Sequence, residues 1–486
     1  MFVSHYLAGT GAVLLETREE ARALSVLLSE LPTLTEVCTV AAPSGALKDA
    51  RTGKQEKALS GLDGAYSWCA DSPGRVVAVY DWHMLSHAPG QWRKLAEALP
   101  DLRSPRGAGD GDCASLVVFV APSWELTPQN PLRGLLPILR LDLPNRQQLE
   151  TALEAIHPLN GERERVIDSV CGLSADAAQQ VAAEVIQRCG GVYDVGALRE
   201  GRRAMLKDSG LEIWPNVPSL GGLVALQSYV RDEVVPWVRD AQLSVRRILC
   251  AGLPGVGKSY CARWIAAQLS CECARLSIPA LKAGIVGASE ANLKRALTSL
   301  DALGRHSPVV CVIDEIDSIA SEGLDGGTSS GMFSELLTWL NESTSQVIVI
   351  ATLNRLDKLD ARLESRFQAR FFFDLPSPRE RAAVAHIHFT TLGCDNPTQA
   401  GEWLAQESEG FSSREIATHV VPSVARLTNR IPTPEAIRTV CRATVPTAQS
   451  QTAQLNEMRR AASSLQRAND PIGDVSPKTR KIAKGA

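Results

Sequence analysis

The chain has 486 residues, too many for one domain at roughly 100–200 residues each, so two to four domains are expected. With 44% hydrophobic residues, 22% charged residues and a net charge of −3, it reads as a soluble globular protein and not as a polyanion-coating one. No apolar run approaches the roughly 18 residues that a membrane span needs, and MFVSHYLAGTGAVLLETREE lacks the basic-then-apolar layout of a signal peptide. The twelve cysteines form no C-x-x-C pair, and Cys250, Cys311 and Cys441 sit inside apolar segments. That pattern suits small buried side chains in a reducing compartment, so a cytoplasmic location is expected. Cys271 and Cys273 make a lone C-x-C, read as ordinary thiols and not as a metal site.

In chain order, residues 1–145 carry short apolar strands: AVLLE (12–16), VVAVY ending before Asp81, LVVFVAP (116–122) and the alternating LRLDLP (139–144). AVLLE runs into TREEARAL with no glycine-rich turn. Residues 146–212 read as helical, with ADAAQQVAAEVIQRC broken by Gly190-Gly191, and are expected to form a lid and linker. Trp214-Pro215 and Leu220-Gly221-Gly222 then open the next domain.

The segment ILCAGLPGVGKS (248–259) is an apolar strand that enters a glycine-rich turn and then a helix. Gly252, Pro254, Gly255, Val256, Gly257, Lys258 and Ser259 satisfy G-x-x-x-x-G-K-[ST] in full, and Tyr260 follows in the helix's first turn. Glycines let backbone N–H groups close on a polyphosphate, Lys258 adds a cation, Ser259 offers a hydroxyl to Mg²⁺, and the helix N-terminus favours the anion. Further on, VVCVIDE (309–315) is a buried strand ending in two acids. Asp314 is placed to hold Mg²⁺ with the loop hydroxyl, and Glu315 to polarise a water. VIVIATLN (347–354) ends in Asn354, which faces the same crevice and either orients the water or touches the terminal phosphate. In DARLESRFQARFFFDLP the arginines are either surface charges or reach a neighbouring subunit's phosphate. Ser377-Pro378-Arg379-Glu380 forms a capping box with proline in the first helical turn.

These residues, in this order and spacing, resemble the AAA+ ATPases, and the blocks IVGASEANL and FFFDLPSPRERAAVAHIH resemble a bacterial and plastid AAA subfamily. The resemblance implies a P-loop, doubly wound α/β core (213–375) with a helical lid (376–448); the remainder (449–486) reads as a C-terminal helix and a disordered basic tail, its last eleven residues holding four basic residues and no acid. It implies ATP and Mg²⁺ as cofactors, Lys258, Ser259 and Asp314 at phosphate and magnesium, Glu315 as the water activator and Asn354 as the first sensor. Arg366 would be the finger in trans, and a homo-oligomeric ring, six-membered by resemblance, follows from it. A second arginine is usual three residues later; Ala369 stands there and Arg370 follows. Arg414, in GFSSREI, is either a second sensor contacting phosphate or a solvated helix-start residue. Ile285, Val286 and Gly287 stand at the family's pore-loop position, where an aliphatic pair either grips a peptide or packs in a core.

The first 145 residues repeat the second half's spacing: 61 residues separate Asp81 from Asp142, and 60 separate Asp314 from Asp374. They read as a degenerate AAA-like α/β domain without a phosphate loop, where two acids would repel nucleotide, the alternative being an unrelated α/β domain with coincidental spacing. The expected function is an ATP-hydrolysing ring that remodels an unidentified protein partner. The rivals are a nucleic-acid-associated ATPase, for which no motif appears, and a nucleotide-dependent interaction module with negligible turnover.

Overall fold

The computed structural model describes residues 2–17, 19–42, 45–81, 89–103, 114–121, 135–159, 161–240, 242–282, 288–305, 307–317, 328–356, 360–462 and 465–470. The chain divides into two units, Met1–Pro144 with Ser174–Gln179, and Asn145–Leu173 with Gln180–Ala486. Most of the helical stretch at 146–212 therefore groups with the second unit.

The first unit is built on seven strands: β1 (Ala12–Glu16), β2 (Val37–Ala41), β3 (Ala46–Asp49), β4 (Gln55–Ser60), β5 (Val76–Tyr80), β6 (Leu116–Ala121) and β7 (Ile138–Arg140). Their spatial order is β4-β3-β2-β5-β6-β1-β7, with β2, β5, β6, β1 and β7 parallel and β3 and β4 added antiparallel at one edge. Side chains alternate between two buried faces, as period-two strands demand. Leu14, Val77, Val79, Val117 and Phe119 pack with Trp92, Leu95 and Leu102 of the helix Pro89–Arg103. Val13, Leu15, Val76, Val118 and Val120 pack with Leu27 of the helix Glu20–Glu30 and with Phe2 and Tyr6.

The second unit carries β8 (Leu211–Trp214), β9 (Arg247–Gly252), β10 (Glu272–Leu276), β11 (Val309–Ile313), β12 (Val347–Leu353), β13 (Ala369–Phe373) and β14 (Gln466–Arg467). The order is β14-β13-β9-β12-β11-β10-β8, parallel except for β8. Strands β11 and β12 are buried along their whole length, which is why they read as unbroken apolar runs. From β9 the chain crosses to β10 on one side and later returns to β13 on the other. The crevice at the carboxyl end of β9 thus lies at a switch in strand order, where open α/β sheets bind ligands.

A helical subdomain follows from Pro378, its core formed by Phe389, Leu404, Ile416, Val420, Val424 and Ile437. The expected capping box is present: Ser377 Oγ accepts from the Glu380 N–H at 3.3 Å, and Glu380 Oε2 accepts from the Ser377 N–H at 2.8 Å. After the helix Thr452–Ala461 the chain returns to the sheet, and β14 extends it beside β13.

Candidate functional site

Strand β9 ends at Gly252, where a Cβ would lie 2.5 Å from the Phe373 carbonyl oxygen, so only glycine fits between the two strands. The loop that follows turns on Gly255 (φ +89) and Gly257 (φ +102), in the left-handed region open to glycine, and the helix Lys258–Gln268 begins at once. Lys258 is buried. Its Nζ donates to the carbonyl oxygens of Gly252 (2.6 Å) and Leu253 (2.9 Å) and to Asn354 Oδ1 (2.8 Å). Burial lowers its ammonium to about 8, against the opposing pull of Asp317 and Asp314.

Ser259 Oγ donates to Asp314 Oδ1 at 2.7 Å, and Thr352 Oγ1 reaches the same oxygen at 3.2 Å. Thr352 also shapes the turn after β11: its Oγ1 accepts from the Glu315 N–H (3.1 Å) and its carbonyl from the Ile316 N–H (3.0 Å). Those two bonds hold Glu315 at φ +53, a strained angle of the kind found at functional sites. Asn354 Nδ2 donates to Glu315 Oε1 at 3.1 Å, so one amide joins the loop lysine to the second acid.

These groups open into a cavity of about 860 Å³, within the ordinary range of small-molecule pockets. Its lining also holds the apolar side chains of Trp214, Leu223, Val384 and Ile387, and His388, whose imidazole burial holds below its ordinary value. Leu223 sits at φ +57 with its N–H on Glu380 Oε1 at 2.9 Å. That buried carboxylate also takes Asn469 Nδ2 and the Asp470 N–H, so the cavity wall, the helical subdomain and the C-terminal segment meet at Glu380.

The donor set fits a metal–polyphosphate. Ser259 and Asp314 are hard oxygen donors at one point, next to a helix N-terminus and a buried ammonium. Among the described residues no group of three or more His, Cys, Asp or Glu could hold a metal, so a divalent ion there would complete its shell with water or phosphate oxygens.

The structure brings Gly252, Pro254, Gly255, Val256, Gly257, Lys258, Ser259, Tyr260, Asp314, Glu315, Asn354 and Arg414 together around this cavity or on its loop. Arg414 also fastens the helical subdomain to the phosphate loop, its N–H donating to the Gly255 carbonyl at 2.9 Å. Arg366 is elsewhere. It precedes β13, where the Gln368 N–H donates to the Arg247 carbonyl, so it sits at the amino end of β9 and roughly 16 Å along that strand from the loop. Arg370 is ion-paired to Glu364. Ile285, Val286 and Gly287 lie outside the described residues.

Arg275, Thr352 and the wall residues Val384, Ile387 and His388 are not marked as site residues by the sequence, and neither is the link of Glu380, beyond its capping box, to Leu223, Asn469 and Asp470. Thr352 had a signal in being two residues before Asn354 on the same strand face, and Arg275 in being a charge within a strand.

Residues 248–375 match the family model described as ATPase family associated with various cellular activities (AAA). An uncharacterised AAA domain-containing protein, ycf46, of Guillardia theta is 26% identical over 364 residues, covering 70% of this chain and 69% of the relative. Its counterpart in Trieres chinensis is 27% identical over 331 residues, 63% of this chain and 65% of the relative. The chain thus spans about two thirds of the length of these relatives. Among solved structures, the FIGL-1 AAA domain in complex with ADP overlaps with a TM-score of 0.45 at 21% identity, covering 54% of this chain and 96% of that one.

Proposed function

We propose, from the match of residues 248–375 to the AAA family model, that this protein hydrolyses ATP with magnesium, as a closed ring that remodels a protein partner. The observation that carries the reading is the continuous set from Lys258 through Asn354 to Glu315, beside the Ser259–Asp314 pair, at one end of one cavity. The loop N–H groups and Lys258 would hold the phosphates, and Ser259 and Asp314 the magnesium, whose charge offsets that developing on the phosphoryl oxygens. Glu315 is the base that orients and polarises the attacking water. Asn354 fixes that carboxylate relative to the lysine and so reports whether the phosphate end is filled. The apolar wall of Trp214, Leu223, Val384 and Ile387 suits a base ring.

The ring follows from Arg366. Its backbone lies at the opposite end of β9 from the loop, so within one chain it serves no phosphate, while its Nε is buried with no hydrogen-bond partner among the described residues. Arg247 beside it is held below its ordinary value by burial and by Arg246 and Arg366, an excess of positive charge that a neighbour's phosphate would relieve. A head-to-tail closed ring gives every site such a neighbour, and six members is the number the resemblance implies. Ile285, Val286 and Gly287 would line its pore, and the first unit would act as an adaptor or spacer. A cytoplasmic location belongs to the same proposal and rests on the cysteine pattern of the sequence.

The test is ATP turnover per chain against protein concentration, with Arg366→Ala in parallel. Specific activity should climb with concentration, and the variant should stay flat and slower by roughly 10³-fold or more. Flat wild-type activity equal to the variant's would remove the shared site and the ring with it.

A further inference from the structure

The carboxylate on the metal side of the site already has a cation on it. Arg275, in β10, places Nε 3.2 Å from Asp314 Oδ2 and Nη1 3.5 Å from Glu212 Oε2. Its guanidinium lies 5.2 Å from the centre of the Trp214 ring. Strand register dictates this. In the parallel pairing Arg275 stands beside Val312, two residues short of Asp314, and in the antiparallel pairing it stands directly across from Glu212. One guanidinium therefore sits between two carboxylates, and Arg275 and Asp314 both line the cavity.

The two oxygens of Asp314 are divided between different partners. Oδ1 receives the Ser259 and Thr352 hydroxyls, and Oδ2 faces Arg275. The Arg275 contact is one of charge and not of a directed hydrogen bond: its buried Nε finds no hydrogen-bond partner among the described residues. An ion pair without that alignment lacks the extra strength of a charge-assisted hydrogen bond and yields readily to a better-placed cation. Glu212 offers a second seat within reach of the same side chain.

We propose that Arg275 is a resident counter-ion that occupies the metal side of Asp314 until a divalent cation arrives, and then transfers to Glu212. Loading of the metal is thereby an exchange of one arginine between two carboxylates. The proposal rests on the reading that Ser259 and Asp314 hold a divalent ion. A dication and a guanidinium repel at a few ångströms, so both cannot share one carboxylate face. The resident arginine keeps the empty site electrically balanced and raises the metal concentration needed to fill it; Glu212 lowers that concentration by receiving the displaced charge.

Two substitutions then act with opposite sign. Arg275→Met keeps an unbranched side chain against Trp214 but removes the competing charge, and should lower the metal midpoint by roughly tenfold. Glu212→Gln removes the second seat and should raise it, by about threefold for a partly exposed pair. Arg275→Lys restores a cation and should bring the midpoint back toward wild type.

The experiment titrates the full-length chain with Mn²⁺, followed by electron paramagnetic resonance, first without nucleotide and then with a non-hydrolysable ATP analogue. Binding of a fluorescent ATP analogue in the presence of a chelator is recorded separately, and thermal melting confirms that each variant is folded. Midpoints that move in opposite directions for Arg275→Met and Glu212→Gln, with rescue by Arg275→Lys, support the exchange. An unchanged or higher midpoint in folded Arg275→Met, or no detectable Mn²⁺ in either protein, overturns it. Should the wild type bind no analogue at any metal concentration, the ATPase reading falls, and the nucleotide-free titration still decides the role of Arg275.

Discussion

The two units contain the same five parallel strands in the same order, yet only one of them ends its first strand in a phosphate loop. In the second unit, β9 and its helix are joined by Leu253–Gly257, with two left-handed glycines and a lysine at the helix start. In the first unit three residues, 17–19, join β1 to the helix Glu20–Glu30. Glu19 is only 6% exposed, accepts a hydrogen bond from the Ala175 N–H and pairs with Arg22, which also donates to the Asp142 carbonyl. A side-chain carboxylate thus stands at the helix N-terminus, which favours negative charge, and its own hydrogen-bonding capacity is used internally. The strand ends match in a second way. Asp81 after β5 turns at φ +56, and Glu315 after β11 turns at φ +53. What differs is not the sheet but the chemistry of one turn, which is why fold alone does not assign activity.

The comparison breaks most sharply at Glu315. Glu315→Gln should keep ATP binding and slow turnover by about 10²–10⁴-fold, since only the water's base is lost. Single-turnover hydrolysis beside binding separates the two, and near wild-type turnover would remove Glu315 from its role.

A smaller effect concerns Lys258, which has no counterpart in the described residues between β1 and its helix. Burial lowers its ammonium to about 8 in the nucleotide-free protein. Above that pH the free protein holds a neutral amine, and a bound polyphosphate must restore the proton. Affinity should therefore fall by up to about tenfold per pH unit from pH 8 upward. The sign is reversed for the nucleotide-free fold. There the unfolded chain binds more protons between about 8 and the ordinary lysine value, so stability rises with pH across that window. Calorimetric titration from pH 7 to 9.5, in buffers of different ionisation enthalpy, reads both affinity and proton uptake. A flat affinity would contradict the buried amine.

The smallest effect is in the first unit. Glu19→Ala should destabilise that unit by about 1.5–3 kcal/mol, the range for a bond to a charged group, and leave ATP affinity unchanged. Denaturant unfolding and nucleotide titration of the same variant check the two halves of that statement. New nucleotide binding on removal of the acid would sharpen the comparison by showing that one carboxylate had been the block.

Much of the site was legible because its residues are neighbours in sequence. The phosphate loop needs fixed glycine positions around one lysine, and β11 and β12 are buried on both faces, so their apolar runs end in polar residues at the cavity. The Ser377–Glu380 box was legible for the same local reason. Arg275 was not, because its meaning depends on β8 and β11 flanking it, and no spacing along the chain records which strands are neighbours. Strand β14 is two residues long, too short for any periodic signal, and its place is set by Asn469 on Asp374 and Glu380. Arg414 could be read two ways in sequence, and only the fold brings its backbone to Gly255.

On the proposed function, one unit of this chain takes nucleotide and the other does not. Calorimetric stoichiometry of a non-hydrolysable ATP analogue, on wild type and on Lys258→Ala, tests it most directly. The account predicts one nucleotide per wild-type chain and none for the variant, which loses the loop's buried cation. Two per chain, or undiminished binding by Lys258→Ala, would contradict it.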